Sequence, residues 1–192
     1  MSKVRILGID PGSVTTGVAV IELRGREPEC LYLDSLRLND ESGFTGRLGD
    51  VFTRVSSLVE SYVPNEVAIE QVFMFRSPES SLKLAQARGA AIAACVTRGL
   101  PVHEYMPAEV KQSVVGTGRA AKEQVQHMVR QLLKLSAPPP ADGADAAAIA
   151  LCHAFRRSAF SGARQALDKE ADGLRAENLR LLAQSRFRRR SR

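Results

Sequence analysis

The sequence predicts an α/β protein: a mixed five-stranded sheet, three antiparallel strands followed by two parallel ones, with helices on both faces. Three observations predict it. Three β-rich runs follow one another before any helical pattern begins; two more apolar runs, "EVAIEQV" and "LPVHEY", each come after a helical segment; and the apolar residues between them recur at helical spacing. A strand that follows a helical crossover lies parallel beside its neighbour.

The first strand, "VRILGID", is stopped by the turn residues "PGS", and "TTGVAVIEL" and "CLYLDSLRL" continue an antiparallel meander. Leu48, Val51, Phe52, Val55, Leu58, Val59 and Tyr62 mark an amphipathic helix that stops before Pro64. Ser77 and Pro78 are a favoured cap and first-turn pair for a second helix running to Gly99. Its middle, "AQARGAAIAACV", is dominated by small side chains, which suit either close packing on the sheet or a subunit contact. After "LPVHEY" come a short helix around "PAEVKQSVV" and a loop, "GTGRAAK", that lacks the spacing of a nucleotide-binding P-loop. Val125, Met128, Val129, Leu132 and Leu133 make a further amphipathic helix, and "APPP" is a stiff lead into a last one that runs to about residue 160.

The chain has 192 residues, 44% of them hydrophobic, enough for one good core. We expect one domain over 1–158 and a basic tail over 159–192, flexible or weakly helical, in which Leu167, Leu174 and Leu181 are interrupted by Gly173. No run approaches the roughly 18 apolar residues of a membrane span, and Asp10 interrupts the first apolar stretch too soon for a signal peptide, so a cytoplasmic protein is expected. Cys30, Cys95 and Cys152 are widely spaced among apolar neighbours, the pattern of reduced thiols and not of a zinc site. The net charge is +6, of which residues 161–192 supply +5 from nine basic and four acidic side chains. A polyanionic partner suits that balance.

Candidate chemistry lies in the acids. Asp10 and Glu70 interrupt apolar strands, where solvation gives no easy account of a charge, although Asp10 also suits the start of a turn. In "PPPADGADAAAIALCH", Asp142 and Asp145 stand three positions apart at the head of a helix, about 60° apart around its axis and so on one face. Taken alone they also fit ordinary capping of the helix dipole. If that first turn lies against the strands carrying Asp10 and Glu70, four carboxylates meet. A carboxylate cage without histidine or cysteine suits Mg²⁺ or Mn²⁺, two of which can activate a water and stabilise the leaving oxygen of a phosphodiester displacement. His103, His127 and His153 have no motif partner, stand outside this cage and are read as structural.

The strings "GIDPGS", "AIEQVF", "LKLAQARGAAIAA", "VKQSVVG", "KEQVQHMV" and "ADGADAAAIA", in register from about residue 3 to 156, resemble the RuvC family of Holliday-junction resolvases. The resemblance implies a ribonuclease H-like fold and a homodimer. It also implies magnesium-dependent cutting of two like-polarity strands at a four-way DNA junction, leaving 5′-phosphate and 3′-hydroxyl ends. Asp10, Glu70, Asp142 and Asp145 fall on the family's catalytic acids and would be its metal ligands, for two Mg²⁺ per site with Mn²⁺ as a substitute. Phe73 matches a residue that meets nucleobases near the crossover, and Lys111 and Lys122 match basic positions used on the DNA backbone or near the scissile phosphate. Arg76 and Arg119 are additional candidate phosphate contacts. The RuvA and RuvB branch-migration proteins are the partners implied. Beyond residue 156 the resemblance ends.

Two other readings fit part of this pattern. Actin-like sugar kinases share a glycine-bearing turn after the first strand, but they need two such domains and a second phosphate loop, which 192 residues do not accommodate. A non-catalytic junction-binding protein on the same core is the second. Four clustered acids facing phosphate would weaken a surface that only binds DNA.

Overall fold

The computed structural model describes residues 3–25, 27–38, 43–72 and 77–159. β1 (Lys3–Asp10), β2 (Thr15–Arg24) and β3 (Glu27–Arg37) form the expected meander, while β4 (Glu66–Glu70) and β5 (Val102–Tyr105) complete one sheet in the order β3-β2-β1-β4-β5. The β1–β2 and β2–β3 pairs are antiparallel, the β1–β4 and β4–β5 pairs parallel. β1 is therefore central, flanked by one partner of each kind.

Side chains alternate across a strand, and here that alternation divides the core in two. Leu7, Ile9, Val20, Val67 and Ile69 pack with Val51, Val55 and Val59 of α1 (Gly43–Tyr62) and with Ala91, Ala94 and Cys95 of α2 (Pro78–Val96). Their sequence neighbours Ile6, Ala19, Ile21 and Ala68 face the opposite way. They pack with Val110 and Val114 of α3 (Pro107–Val115), Val125 and Val129 of α4 (Lys122–Leu132), and the alanine-rich α5, residues 141–159. Helices thus cover both faces.

Ser77 caps α2 as expected, its hydroxyl accepting from the Ser80 N–H at 3.4 Å with Pro78 in the first turn. The helix ends at Val96, short of the Gly99 expected from sequence. The Leu100 N–H turns back to the Cys95 carbonyl, and Gly99 takes the left-handed conformation at φ 72° that such a stop requires. Of its small residues, Ala87, Ala91 and Ala94 are buried, the last two packed against the sheet.

The alanines of α5 let this helix lie directly on β1. Ala146, Ala147, Ala148, Ala150 and Ala154 are fully buried. Opposite them, a Cβ on Gly8 would overlap the Ala146 carbonyl oxygen and stand 2.9 Å from the Ala150 Cβ. Close approach therefore needs small residues on both surfaces. Cys95 and Cys152 are buried and Cys30 is half-buried, all three as free thiols. None of the described helices is long and apolar enough to cross a membrane. The basic tail falls, from residue 160, outside the described residues.

Candidate active site

Asp10 and Glu70 are the last residues of β1 and β4, and the Ile9–Ile69 pairing of these parallel strands sets them side by side one residue further on. Each stands two positions beyond a residue whose surroundings are α5 or its cluster, Gly8 for Asp10 and Ala68 for Glu70. Both carboxylates consequently face the α5 side, at the carboxyl ends of the strands where open α/β sheets place their ligands. The turn after Asp10 is tied by buried Thr16, whose hydroxyl donates to the Gly12 carbonyl at 3.3 Å, and by Arg47 of α1, which donates to the Ser13 carbonyl at 3.1 Å.

The first turn of α5 brings the other two acids. Its Gly143 N–H donates to the Ser35 hydroxyl of β3 at 3.1 Å, across 108 positions of sequence. This satisfies one of the helix's free N–H groups and fixes its end against the meander. Gly17, paired with Asp10 across the β1–β2 ladder, leaves the space: a Cβ there would overlap the Asp142 carbonyl oxygen and stand 3.3 Å from the Asp10 Cβ. Carboxylate oxygens of Asp10, Asp142 and Asp145 then lie within 4.8 Å of one another. Glu70 stands outside this closest group and lines the same cleft, about 260 Å³, with Asp10, Asp145, Lys111 and Lys122.

The electrostatics follow from crowding like charges in a dry place. Burial, reinforced by Glu70, Asp145 and Asp142, pushes the Asp10 carboxyl up to about 8. Burial and then Asp145 push Glu70 up to about 7, against the opposing pull of Lys111 and Lys122. Two unit charges 4 Å apart repel by about 4 kcal/mol at an effective dielectric near 20, so a cluster of this kind calls for cations. One is built in: Lys122 Nζ lies 2.8 Å from Asp145 Oδ2 and 3.5 Å from Asp142 Oδ1, and the hydrogen bond to Asp145 raises the Lys122 pKa. Lys122 and Lys111 together carry too little charge for four carboxylates. Oxygen donors without histidine or cysteine fit hard divalent cations such as Mg²⁺ or Mn²⁺.

Of the basic candidates, Lys111 is half-buried in α3 and lines the cleft, and Lys122 opens α4 at its rim. Arg119 is exposed on the α3–α4 loop and does not line it. Phe73 and Arg76 lie outside the described residues. Sequence reasoning missed Arg88 of α2, whose guanidinium donates to the Glu70 carbonyl at 3.0 Å and pairs with Glu104 of β5 at 2.6 Å. It clamps the strand end that carries Glu70. The available signal was one arginine inside a run of alanine and glycine.

Comparison with known proteins points to one family. The family model described as crossover junction endodeoxyribonuclease RuvC matches residues 6–153. The crossover junction endodeoxyribonuclease RuvC of Halorhodospira halophila is 51% identical over 155 residues, covering 81% of this chain and 92% of that protein. That of Tolumonas auensis is 54% identical over 148 residues, covering 77% and 85%. The structure of T. thermophilus RuvC in complex with Holliday junction substrate superposes with a TM-score of 0.76 at 36% identity, over 81% of this chain and 95% of that one. The yeast mitochondrial Holliday junction resolvase Ydc2 shares the fold, with a TM-score of 0.58 at 16% identity over 79% of this chain and 78% of that one.

Proposed function

The chain belongs to the RuvC family of crossover junction endodeoxyribonucleases, and we propose that it resolves four-way (Holliday) DNA junctions in recombination and repair. In this reading it hydrolyses two strands of like polarity and leaves 5′-phosphate and 3′-hydroxyl ends. The observation that carries the reading is the meeting of Asp10, Asp142 and Asp145, with Glu70 beside them, at the mouth of a lysine-lined cleft.

The four acids act together as the ligands of two Mg²⁺, with Mn²⁺ as a substitute. Bound there, such ions supply a more acidic water and neutralise charge on the phosphoryl oxygens. The chain's own residues do the rest. Asp10 and Glu70 would give up their protons to bound cations, whose charge would offset the burial, and after it the neighbouring carboxylates, that raise the two pKa values. Lys122, held between Asp142 and Asp145, is freed from part of that pairing and reaches toward the scissile phosphate. Lys111 sits on the Glu70 side of the cleft and meets the same charge. Arg88 and Ser35 are positioning residues, one on the Glu70 backbone and the other on the α5 N-terminus.

Outside the cleft, Arg119 contacts the DNA backbone, and Phe73 and Arg76, from the segment after β4, meet bases and phosphates near the crossover. The tail from residue 159 adds nonspecific affinity through its arginines. Two copies pair through the outward face of α2, where Leu82 and Val96 are 65% and 49% exposed, and RuvA and RuvB deliver the junction. The site of action is the cytoplasm.

A non-catalytic junction binder is the poorer reading, since buried like charges turned toward phosphate oppose binding unless cations occupy them. The test incubates the protein with a synthetic four-way junction, a duplex and an RNA–DNA hybrid, with and without Mg²⁺. Paired cuts in the junction alone, and only with the metal, are expected; cutting of all three substrates, or of none, would overturn the assignment.

A further inference from the structure

A second cluster of metal-binding side chains lies at the other end of the same strand and helix. Glu66 opens β4, four residues and so about 13 Å before Glu70. His153 stands eight residues after Asp145 on α5, about 12 Å along its axis. His103 of β5 pairs with Ala68 of β4, so alternation puts Glu66, Ala68 and His103 on the α5 side of the sheet. There, one ligand atom from each of Glu66, His103 and His153 lies within 4.8 Å of the others. The two imidazole rings stack at 4.4 Å.

The histidine at the centre is arranged as a metal ligand is. His153 is buried, with its Nε2 2.6 Å from a Glu66 carboxylate oxygen and its Nδ1 2.6 Å from the Tyr105 hydroxyl. A ligating histidine holds its second ring nitrogen in a hydrogen bond that fixes the ring, and Tyr105 supplies that bond. His103 is exposed, which leaves one side of the cluster open to solvent for an ion and a water. Two imidazoles, which are borderline donors, with one carboxylate make a set that suits Zn²⁺, unlike the all-oxygen set at Asp10.

We infer that Glu66, His103 and His153 form a separate site for a borderline divalent transition metal, Zn²⁺ by chemical class, which ties the far end of α5 to β4 and β5. On binding, the ion takes the place of the proton between His153 Nε2 and Glu66, which leaves to solvent, and Nδ1–H donates to the Tyr105 oxygen. Because α5 also carries Asp142 and Asp145, the tie holds the helix that presents them. The site is independent of whether the acid cleft cuts DNA.

Calorimetric titration of the full chain with Zn²⁺, in excess Mg²⁺ to fill the carboxylate cleft, tests it. His103→Ala is the informative variant, because an exposed side chain can be removed without opening the core, whereas His153 is buried. One Zn²⁺ per chain is expected in the wild type and in Asp142→Asn, with affinity at least about tenfold weaker in His103→Ala. Zn²⁺ is also expected to raise the thermal midpoint of the wild type and of His127→Ala but not of His103→Ala. Absence of stoichiometric uptake in the wild type, or uptake and stabilisation undiminished in His103→Ala, would overturn the site.

Discussion

Lys122 Nζ stands 2.8 Å from Asp145 Oδ2, so a cation of this chain already occupies the mouth of its acidic cleft. The pair joins the first residue of α4 to the first turn of α5, and it offsets part of the repulsion among the acids. Replacing Lys122 with Ala removes the positive charge proposed to meet the scissile phosphate. Junction cleavage at saturating Mg²⁺ should fall by about 10²-fold, the usual cost of losing one charge-stabilising group, while junction binding changes by only a few fold. Manganese titration should show tighter, not weaker, ion binding in the variant. Cleavage at wild-type rates would reduce Lys122 to a surface ion pair.

The pH dependence has a definite sign. Asp10 and Glu70 have folded pKa values of about 8 and about 7, above their ordinary 3.8 and 4.5. An acid whose pKa rises on folding holds its proton more tightly in the folded chain, so this contribution to stability is fully present below about pH 4 and is lost as pH rises through about 8. In chelator, these two groups should lower the thermal midpoint between about pH 5.5 and about pH 8.5, and Asp10→Asn should flatten that decline. Mg²⁺ should restore more stability at the higher pH, because there no proton has to leave. A metal increment independent of pH would contradict the coupling.

Gly17 bears directly on Asp142. A methyl group at this position would overlap the Asp142 carbonyl oxygen, so Gly17→Ala must push the head of α5 away from β2. We expect a loss of about 1 to 3 kcal/mol in urea unfolding and a loss of cleavage beyond what the folded fraction explains. Unchanged activity in the folded fraction would show that the acids tolerate displacement of the helix.

Ser35→Ala leaves the Gly143 N–H without its acceptor. The stability cost should be about 0.5 to 2 kcal/mol, as for other helix caps. If the hydroxyl positions the aspartates, the Mg²⁺ concentration for half-maximal cleavage should rise, and Ser35→Thr should recover it. A stability loss with no change in metal requirement would leave Ser35 a cap and nothing more.

How much of this was legible depended on the reach of each contact. The strands, the helices and the alternation that turns Asp10 and Glu70 toward one face follow from local pattern, and so does the shared face of Asp142 and Asp145. The pairing of β1 with β4 came from a topological rule for crossovers, not from any residue. What stayed hidden joins distant positions whose types say little alone. Ser35 and Gly143 are 108 residues apart, His153 and Glu66 are 87 apart, and Arg88 acts on a backbone carbonyl 18 residues away. A serine in a strand or a histidine in a helix has many ordinary uses, and only the register of the folded sheet selects one. The end of α2 was misjudged for a smaller reason: Gly99 closes the turn after the helix and does not extend it.

Asp142→Asn separates a metal-holding Asp142 from one that merely helps start a helix. Asp142 lies inside the first turn of α5, whose first backbone bond runs to the Pro140 carbonyl, so asparagine there costs only the charge–dipole contribution of about 0.3 to 1 kcal/mol and folding and junction binding should survive. Cleavage of a synthetic four-way junction with Mg²⁺, measured beside binding of the same junction without cleavage in Ca²⁺, is the decisive comparison. Cleavage should fall by about 10²-fold or more with binding retained; undiminished cleavage by Asp142→Asn would show that Asp142 is not a metal ligand.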